Sequence, residues 1–214
     1  MKVGILGTGD VGRALGRAFV TLGHEVKLGA REPNNEKAVA WAKEHGAKAS
    51  AGTFAEAAEF GELVLVATLG AAVESALKAA GPDRFAGKIV IDTTNPLDFS
   101  KGMPPGLSLS GNDSGGELVQ RTLPKAHVVK AFNIVGNAHM FRPDFPGGPP
   151  DMFYCGNDEG AKQRVGTLLE EFGFHPVDLG GIQASRYLEG MCIVWVLYGA
   201  KMGGWNHAFK MLRK

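Results

Sequence analysis

The run Gly7-Thr8-Gly9-Asp10-Val11-Gly12 near the amino terminus fits the pattern G-x-G-x-x-G. It follows an apolar run and opens a segment of helical apolar spacing, which is the context in which this pattern binds a dinucleotide. Gly7 allows a tight turn, Gly9 lets the backbone approach a pyrophosphate, and Gly12 lets the helix lie close to the strand. The phosphates would then bind the free N–H groups at the start of the helix.

The stretch Leu28-Gly29-Ala30-Arg31-Glu32-Pro33 ends the next predicted strand and bears on which dinucleotide is bound. Sites for NAD carry Asp or Glu at this tip, to accept a hydrogen bond from the ribose 2′-hydroxyl. Here Arg31 lies 24 residues after Gly7, and a guanidinium binds a 2′-phosphate through two charge-assisted hydrogen bonds. The tip, Ala30 and Arg31, therefore predicts NADP(H), and Lys37 adds positive charge.

Small and polar residues follow three further predicted strands, in the stretches Thr68-Leu69-Gly70, Asn95-Pro96-Leu97 and Asn133-Ile134-Val135-Gly136. In an open parallel sheet, a ligand binds beyond the carboxyl ends of the strands. Asn and Thr side chains offer neutral hydrogen bonds that suit a carboxamide and sugar hydroxyls. Each stretch alone also fits an ordinary turn, and it is their recurrence at successive strand ends that favours a binding site.

Short β-type runs alternate with helical segments along most of the chain. This alternation predicts an α/β fold, a Rossmann-type doubly wound and mostly parallel sheet. We divide the chain into an NADP-binding Rossmann domain, residues 1–180, and a C-terminal helical extension, residues 181–214. The strand candidates are Lys2–Leu6, Glu25–Leu28, Leu63–Ala67, Lys88–Asp92, His127–Phe132, Met152–Cys155 and Pro176–Leu179, with a weaker one at Ala47–Ala49.

Composition excludes several classes of protein. The 214 residues include 23 Lys and Arg against 22 Asp and Glu, a balance that argues against a nucleic-acid partner or an anionic membrane surface. Neither Cys155 nor Cys192 lies in a zinc-binding or redox pattern, so we predict no metal and two buried thiols. We expect a cytoplasmic protein and assign no side chain a catalytic role.

The run Met191–Tyr198 is more apolar than one face of a helix requires. Such a helix either docks on its own sheet or forms part of a dimer interface, because exposed apolar patches usually mark contacts. The sequence leaves both possibilities open.

Several motifs together resemble the NADP oxidoreductases that depend on the deazaflavin coenzyme F420. They resemble at least as closely the NADPH-binding domain of the six-transmembrane metalloreductases. The resemblance covers most of the chain and rests on Gly7-Thr8-Gly9-Asp10-Val11-Gly12-Arg13, Gly29-Ala30-Arg31-Glu32-Pro33, Thr94-Asn95-Pro96, Lys130-Ala131-Phe132-Asn133, Cys155-Gly156-Asn157-Asp158 and Val177-Asp178-Leu179-Gly180.

The resemblance implies hydride exchange between the nicotinamide and a flavin or deazaflavin ring, with a small-molecule redox coenzyme as partner and often a homodimer. It implies that the ring contact is approached by Asn133, Ile134, Val135 and Gly136. It also implies that NADP is held by Thr8, Gly9, Asp10, Val11, Arg31, Thr68, Leu69, Asn95 and Pro96.

Two other functions remain open. Imine and β-hydroxyacid reductases share the amino-terminal domain, although they usually add a larger helical domain than the residues after Gly181 provide. A non-catalytic NADPH sensor would bind the dinucleotide without leaving space for a second ring over the nicotinamide.

Arg31→Ala tests the choice of cofactor. We expect NADPH binding to weaken by about 1.5–3 kcal/mol, roughly 10- to 150-fold, with NADH binding little changed, because only NADPH carries the 2′-phosphate. Calorimetric titration of both cofactors measures the difference. Equal losses for the two cofactors would contradict the assignment.

Overall fold

The apolar runs of the sequence form an eight-stranded sheet in the computed structural model, which describes residues 1–212 and 214. Its strands are β1 Lys2–Leu6, β2 Glu25–Ala30, β3 Ala49–Thr53, β4 Leu63–Val66, β5 Ile89–Asp92, β8 His127–Lys130, β9 Asp151–Gly156 and β10 His175–Asp178. A separate two-stranded ribbon is made by β6 Leu97–Asp98 and β7 Gly106–Leu107.

The order across the sheet is β10-β9-β8-β5-β4-β1-β2-β3. The neighbours from β3 to β8 all pair in parallel, whereas β9 runs antiparallel to β8. The predicted doubly wound, mostly parallel fold is confirmed. Since the chain reverses its direction of travel across the sheet between β1 and β4, the carboxyl ends of these strands flank a crevice.

Within residues 1–212 and 214, seven α-helices lie between and after the strands: α1 Asp10–Thr21, α2 Glu36–His45, α3 Phe54–Phe60, α4 Val73–Ala80, α5 Gly115–Thr122, α6 Glu159–Glu171 and α7 Ser185–Met202. All four residues of β4 are buried. Successive side chains of a strand point to opposite faces, so both faces of the sheet are covered at its centre.

The predicted elements need three corrections. The third strand begins at Ala49 and runs on to Thr53, beyond the predicted Ala47–Ala49. The strand from His127 ends at Lys130, because Phe132 has a φ of +63°, which a strand does not contain. The ribbon of β6 and β7 lies in a stretch that had no predicted strand.

The predicted C-terminal extension is helical only as far as Met202, where Gly203 ends α7 in the left-handed conformation. Residues 203–212, here called the C-terminal strap, contain no helix and return over α7. In this return the rings of Trp205 and His207 both stack on the ring of Trp195, with centroids 4.9 and 4.8 Å away. A Cβ on Gly136 would lie 3.3 Å from the Trp195 ring, so the stack adjoins the loop after β8.

Helix α7 has a buried face and an exposed apolar face. Leu188, Cys192 and Val196 are buried, whereas Tyr187, Val194 and Tyr198 are 75%, 55% and 51% exposed. The apolar run therefore docks on its own domain and still leaves an apolar surface.

The two cysteines are free and buried, as predicted. Burial raises the pKa of both thiols to about 12, so they remain protonated near neutral pH. No helix among the described residues has the length and apolar character required to cross a bilayer.

Candidate functional site

The first crevice loop, which follows β1, depends on glycine at two positions. Gly7 has a φ of +132°, and a Cβ there would lie 2.2 Å from the Ala67 carbonyl oxygen at the end of β4. A Cβ on Gly12 would lie 2.3 Å from the Gly7 carbonyl oxygen. Side chains at these positions would push the turn away from β4 and α1 away from the turn, as the motif predicts.

Gly9 differs from both, because a Cβ built there meets no atom within 4 Å. Its φ of −73° and ψ of −177° are open to any residue, so the fold does not require glycine here. Gly9 is also the N-cap of α1 and provides no side-chain hydrogen bond to the helix. The first N–H groups of α1 are thus left for another acceptor, as a bound phosphate would require.

The other predicted residues of the first loop lie around the start of α1. Thr8 and Val11 are half-buried, and Asp10 is exposed in the first turn. The Asp10 carboxylate pairs with Arg13 at 2.5 Å, which offsets a negative charge beside the proposed phosphate position.

The loops after β1, β4 and β5 meet in direct contact, and the first of them also contacts β2. The Gly7 N–H donates to the Gly29 carbonyl near the end of β2, at 3.0 Å. A Cβ on Gly70 would lie 2.0 Å from the Asn95 carbonyl oxygen, so the loop after β4 packs on the loop after β5. The structure therefore brings the predicted stretches Thr68-Leu69-Gly70 and Asn95-Pro96 together.

The loops after β5 and β8 are joined by the side chains of Asn95 and Asn133, here called the Asn clamp. Asn95 Nδ2 donates to the Asn133 carbonyl at 2.8 Å, and Asn133 Nδ2 donates to Asn95 Oδ1 at 2.9 Å. Ile134, Val135 and Gly136 continue this loop and are buried. All three polar stretches predicted at the strand ends thus lie side by side.

A small residue at the carboxyl end of β2 is followed in the sequence by two positively charged residues. Ala30 is buried, whereas Arg31 and Lys37 are exposed. Lys37 and Arg13 both line a cavity of about 250 Å³ between α1 and α2. The role of each of these residues in binding NADP(H) stays a prediction.

Beneath the Asn clamp lies a group that the sequence analysis missed, formed by Lys130, Asp92 and Glu189 and here called the buried ion cluster. Lys130 Nζ lies 2.9 Å from Asp92 Oδ2 and 2.8 Å from Glu189 Oε1, with all three side chains inaccessible or nearly so. Burial alone would lower the pKa of Lys130, but the two carboxylates outweigh it and raise the pKa above its usual value. The amine is therefore held as a cation.

One signal of this cluster was present in the sequence. Asp92 ends the run Ile89-Val90-Ile91, and Lys130 ends the run His127-Val128-Val129. The two residues are register partners of β5 and β8. Glu189 could not be found in this way, because no local pattern brings α7 to these strands.

Two buried polar atoms in the crevice loops fit a ligand that brings hydrogen bonds. Thr68 Oγ1 and Asn133 Oδ1 have no hydrogen-bond partner within the described residues. Leu69, beside Thr68, is 81% exposed and offers an apolar surface. Together with the open space at Gly9, these groups suit the phosphates, hydroxyls and carboxamide of a nicotinamide dinucleotide.

The space at Gly9 gives a direct test of the phosphate position. We expect Gly9→Ala to keep its thermal stability but to bind NADPH more weakly by about 1–3 kcal/mol, because the methyl group would overlap the pyrophosphate. Gly7→Ala should instead lose at least about 2 kcal/mol of folding stability through strain and overlap. Thermal melts and calorimetric titration separate the two effects. Unchanged NADPH affinity in Gly9→Ala would mean that the pyrophosphate lies elsewhere.

Comparison with known proteins connects this site to a family. The family model described as "NADP oxidoreductase coenzyme F420-dependent" matches residues 2–96. A candidate F420-dependent NADP reductase from Arthrobacter sp. FB24 is 42% identical, and its solved structure aligns over 100% of both chains with a TM-score of 0.94. A hypothetical protein, SMa0349 from Sinorhizobium meliloti, is 29% identical over 87% of both chains, with a TM-score of 0.72.

The metalloreductase STEAP3 of Rattus norvegicus is 30% identical over 199 residues. The match covers 89% of this chain but only 36% of the metalloreductase, so the chain spans about a third of this relative. A reductive aminase from Aspergillus terreus aligns with a TM-score of 0.67 at 24% identity, which is evidence for a shared fold alone.

The full-length match and the family model agree with the resemblance expected from the motifs. The assignment to NADP-dependent oxidoreductases with NADP(H) as cofactor is confirmed. The chain belongs to the coenzyme F420-dependent NADP oxidoreductase family.

Proposed function

We propose that this protein transfers a hydride between NADP(H) and the ring of a deazaflavin of the F420 type or of a flavin. The carrying observation is that the crevice floor presents the neutral amides of the Asn clamp, while the charged groups of the ion cluster are buried. Hydride exchange between two stacked rings requires position and exclusion of water more than it requires an acid or a base.

We propose the following roles for the residues of the crevice. Residues 1–180 provide the predicted dinucleotide-binding unit, with the N–H groups of α1 for the pyrophosphate and Arg31 and Lys37 for the 2′-phosphate. Asn95, Thr68 and Leu69 approach the nicotinamide half, and the loop from Asn133 to Gly136 approaches the second ring. The extension from residue 181 completes the floor through α7, which contributes Glu189.

The choice of a deazaflavin is supported by one relative. The Arthrobacter protein is a candidate F420-dependent NADP reductase, and it matches this chain over its whole length. The metalloreductases match over about a third of their length, so their activity is a weaker guide.

The direct test mixes the purified protein with NADPH and oxidised F420, FMN, FAD or riboflavin, in the absence of oxygen. Loss of the reduced nicotinamide absorbance with one of these acceptors is the expected result. NADPH deuterated at nicotinamide C4 should then deliver deuterium to the carbon of the deazaflavin ring that accepts the hydride. Arg31→Ala is the internal control, since it should raise KM for NADPH and leave kcat unchanged.

Absence of turnover with every acceptor would overturn the proposal. If NADPH still binds under these conditions, the protein is a sensor instead. If turnover occurs only when an imine is supplied, the reductase alternative is correct.

We further propose that the protein is a homodimer, with the exposed face of α7 against a second copy. Tyr187, Val194 and Tyr198 recur at intervals of seven and four residues, so they lie on one side of the helix. Burial of such a stripe against its copy would remove apolar surface from water on both chains.

Light scattering tests the dimer with a matched pair of variants. Val194→Glu should convert the dimer to a monomer, because a charge would be buried in the contact. Val39→Glu introduces the same charge at a valine of α2 that is 47% exposed, and it should leave the dimer intact. A monomer in the unmodified protein, or a dimer in both variants, would contradict the proposed interface.

A further inference from the structure

The buried ion cluster lies between four elements that meet below the crevice. Asp92 ends β5, Lys130 ends β8, and Glu189 projects from α7. The two Glu189 carboxylate oxygens accept hydrogen bonds of 3.0 Å from the Gly115 and Gly116 N–H groups at the start of α5. The cluster therefore fixes the relative positions of both strand ends and both helices.

The same cluster holds the turn that leads to Asn95. Lys130 Nζ donates to the Thr94 carbonyl at 2.8 Å. Asp92 Oδ1 accepts hydrogen bonds from the Thr94 N–H at 3.0 Å and from its hydroxyl at 2.7 Å. Three hydrogen bonds to Thr94, all buried, fix the backbone from which the Asn95 side chain projects.

The Asn clamp has a single possible orientation of its two amides. The Asn95 Nδ2 faces the Asn133 backbone carbonyl, which can only accept. Asn133 Nδ2 donates to Asn95 Oδ1 and to the Leu188 backbone carbonyl at 3.0 Å, so both of its hydrogens are used. A flip of the Asn133 amide would bring its oxygen against the Leu188 carbonyl oxygen. Asn133 Oδ1 thus remains as a buried acceptor with no partner in the part of the chain that the structure describes.

We propose that Asn133 Oδ1 accepts a hydrogen bond from the carboxamide N–H of the nicotinamide, and that Lys130 is the positioning residue that holds the Asn clamp for this contact. The inference rests on the proposed NADP(H)-binding crevice. An acceptor buried without a partner destabilises the folded protein, and a bound donor removes that penalty. Asn133 is 4% exposed, so water competes poorly for this contact.

The 3-acetylpyridine analogue of NADP+ isolates this hydrogen bond, because a methyl group replaces the carboxamide nitrogen and the rest of the dinucleotide is unchanged. We expect the unmodified protein to bind NADP+ about threefold to tenfold more tightly than the analogue, the range of one neutral hydrogen bond. In Asn133→Ala and in Lys130→Met this ratio should fall to about one. Calorimetric titration gives both affinities without any turnover.

The ratio of the affinities for NADP+ and NAD+ distinguishes a loss of positioning from a general loss of cofactor binding. The preference for NADP+ over NAD+ depends on the 2′-phosphate at Arg31, so it should remain unchanged in Asn133→Ala and Lys130→Met. Asn112→Ala, at an exposed asparagine in the loop before α5, should leave both ratios unchanged.

Lys130→Met leaves two buried carboxylates without their cation, so it can fail to fold. Asn95→Ala leaves the buried ion cluster intact and removes the clamp. It should also bring the ratio of the affinities for NADP+ and for the 3-acetylpyridine analogue to about one.

A ratio near one in the unmodified protein, or a retained ratio in Asn133→Ala, would overturn the proposed hydrogen bond between Asn133 and the carboxamide. A ratio retained in a folded Lys130→Met, or in Asn95→Ala, would overturn the positioning role. Since each readout is binding, these results are independent of whether F420 or a flavin accepts the hydride.

Discussion

The buried ammonium of Lys130 constrains the floor of the crevice. A cation without solvent requires opposite charge and complete hydrogen bonding, and Lys130 obtains both from Asp92, Glu189 and the Thr94 carbonyl. These partners come from β5, α7 and the loop after β5. The docking of α7 and the shape of the crevice floor therefore depend on the same ion pairs. These ion pairs couple the C-terminal extension to the Rossmann sheet.

The parts that the sequence predicted correctly are those with local physical causes. The alternation of apolar strands and amphipathic helices predicted the sheet, and the glycine spacing predicted the turn where Gly7 lies against Ala67. The polar stretches at the strand ends could be placed together, because parallel strands share an edge for their carboxyl ends. Family membership followed from the same motifs.

What the sequence did not predict depends on contacts between distant segments. Glu189 lies within an apolar helix, and only the docked position of α7 makes it a partner of Lys130. The break at Phe132 arises where the chain leaves β8 and turns toward Asn133, at a φ that aromatic residues rarely adopt. The C-terminal strap has no periodic pattern, and its course is set by Trp195 and by Asp151, whose carboxylate accepts from the Met211 N–H at 2.7 Å.

The stack of Trp195 with Trp205 and His207 has an optical consequence. The chain has three tryptophans, and two of them lie in this stack beside Gly136, while Trp41 is buried in α2. Indole emission is sensitive to the polarity and rigidity of its surroundings, so two of the three indoles report on the rim of the crevice. The molecule thus carries its own spectroscopic probe, at the loop where the second ring is expected to arrive.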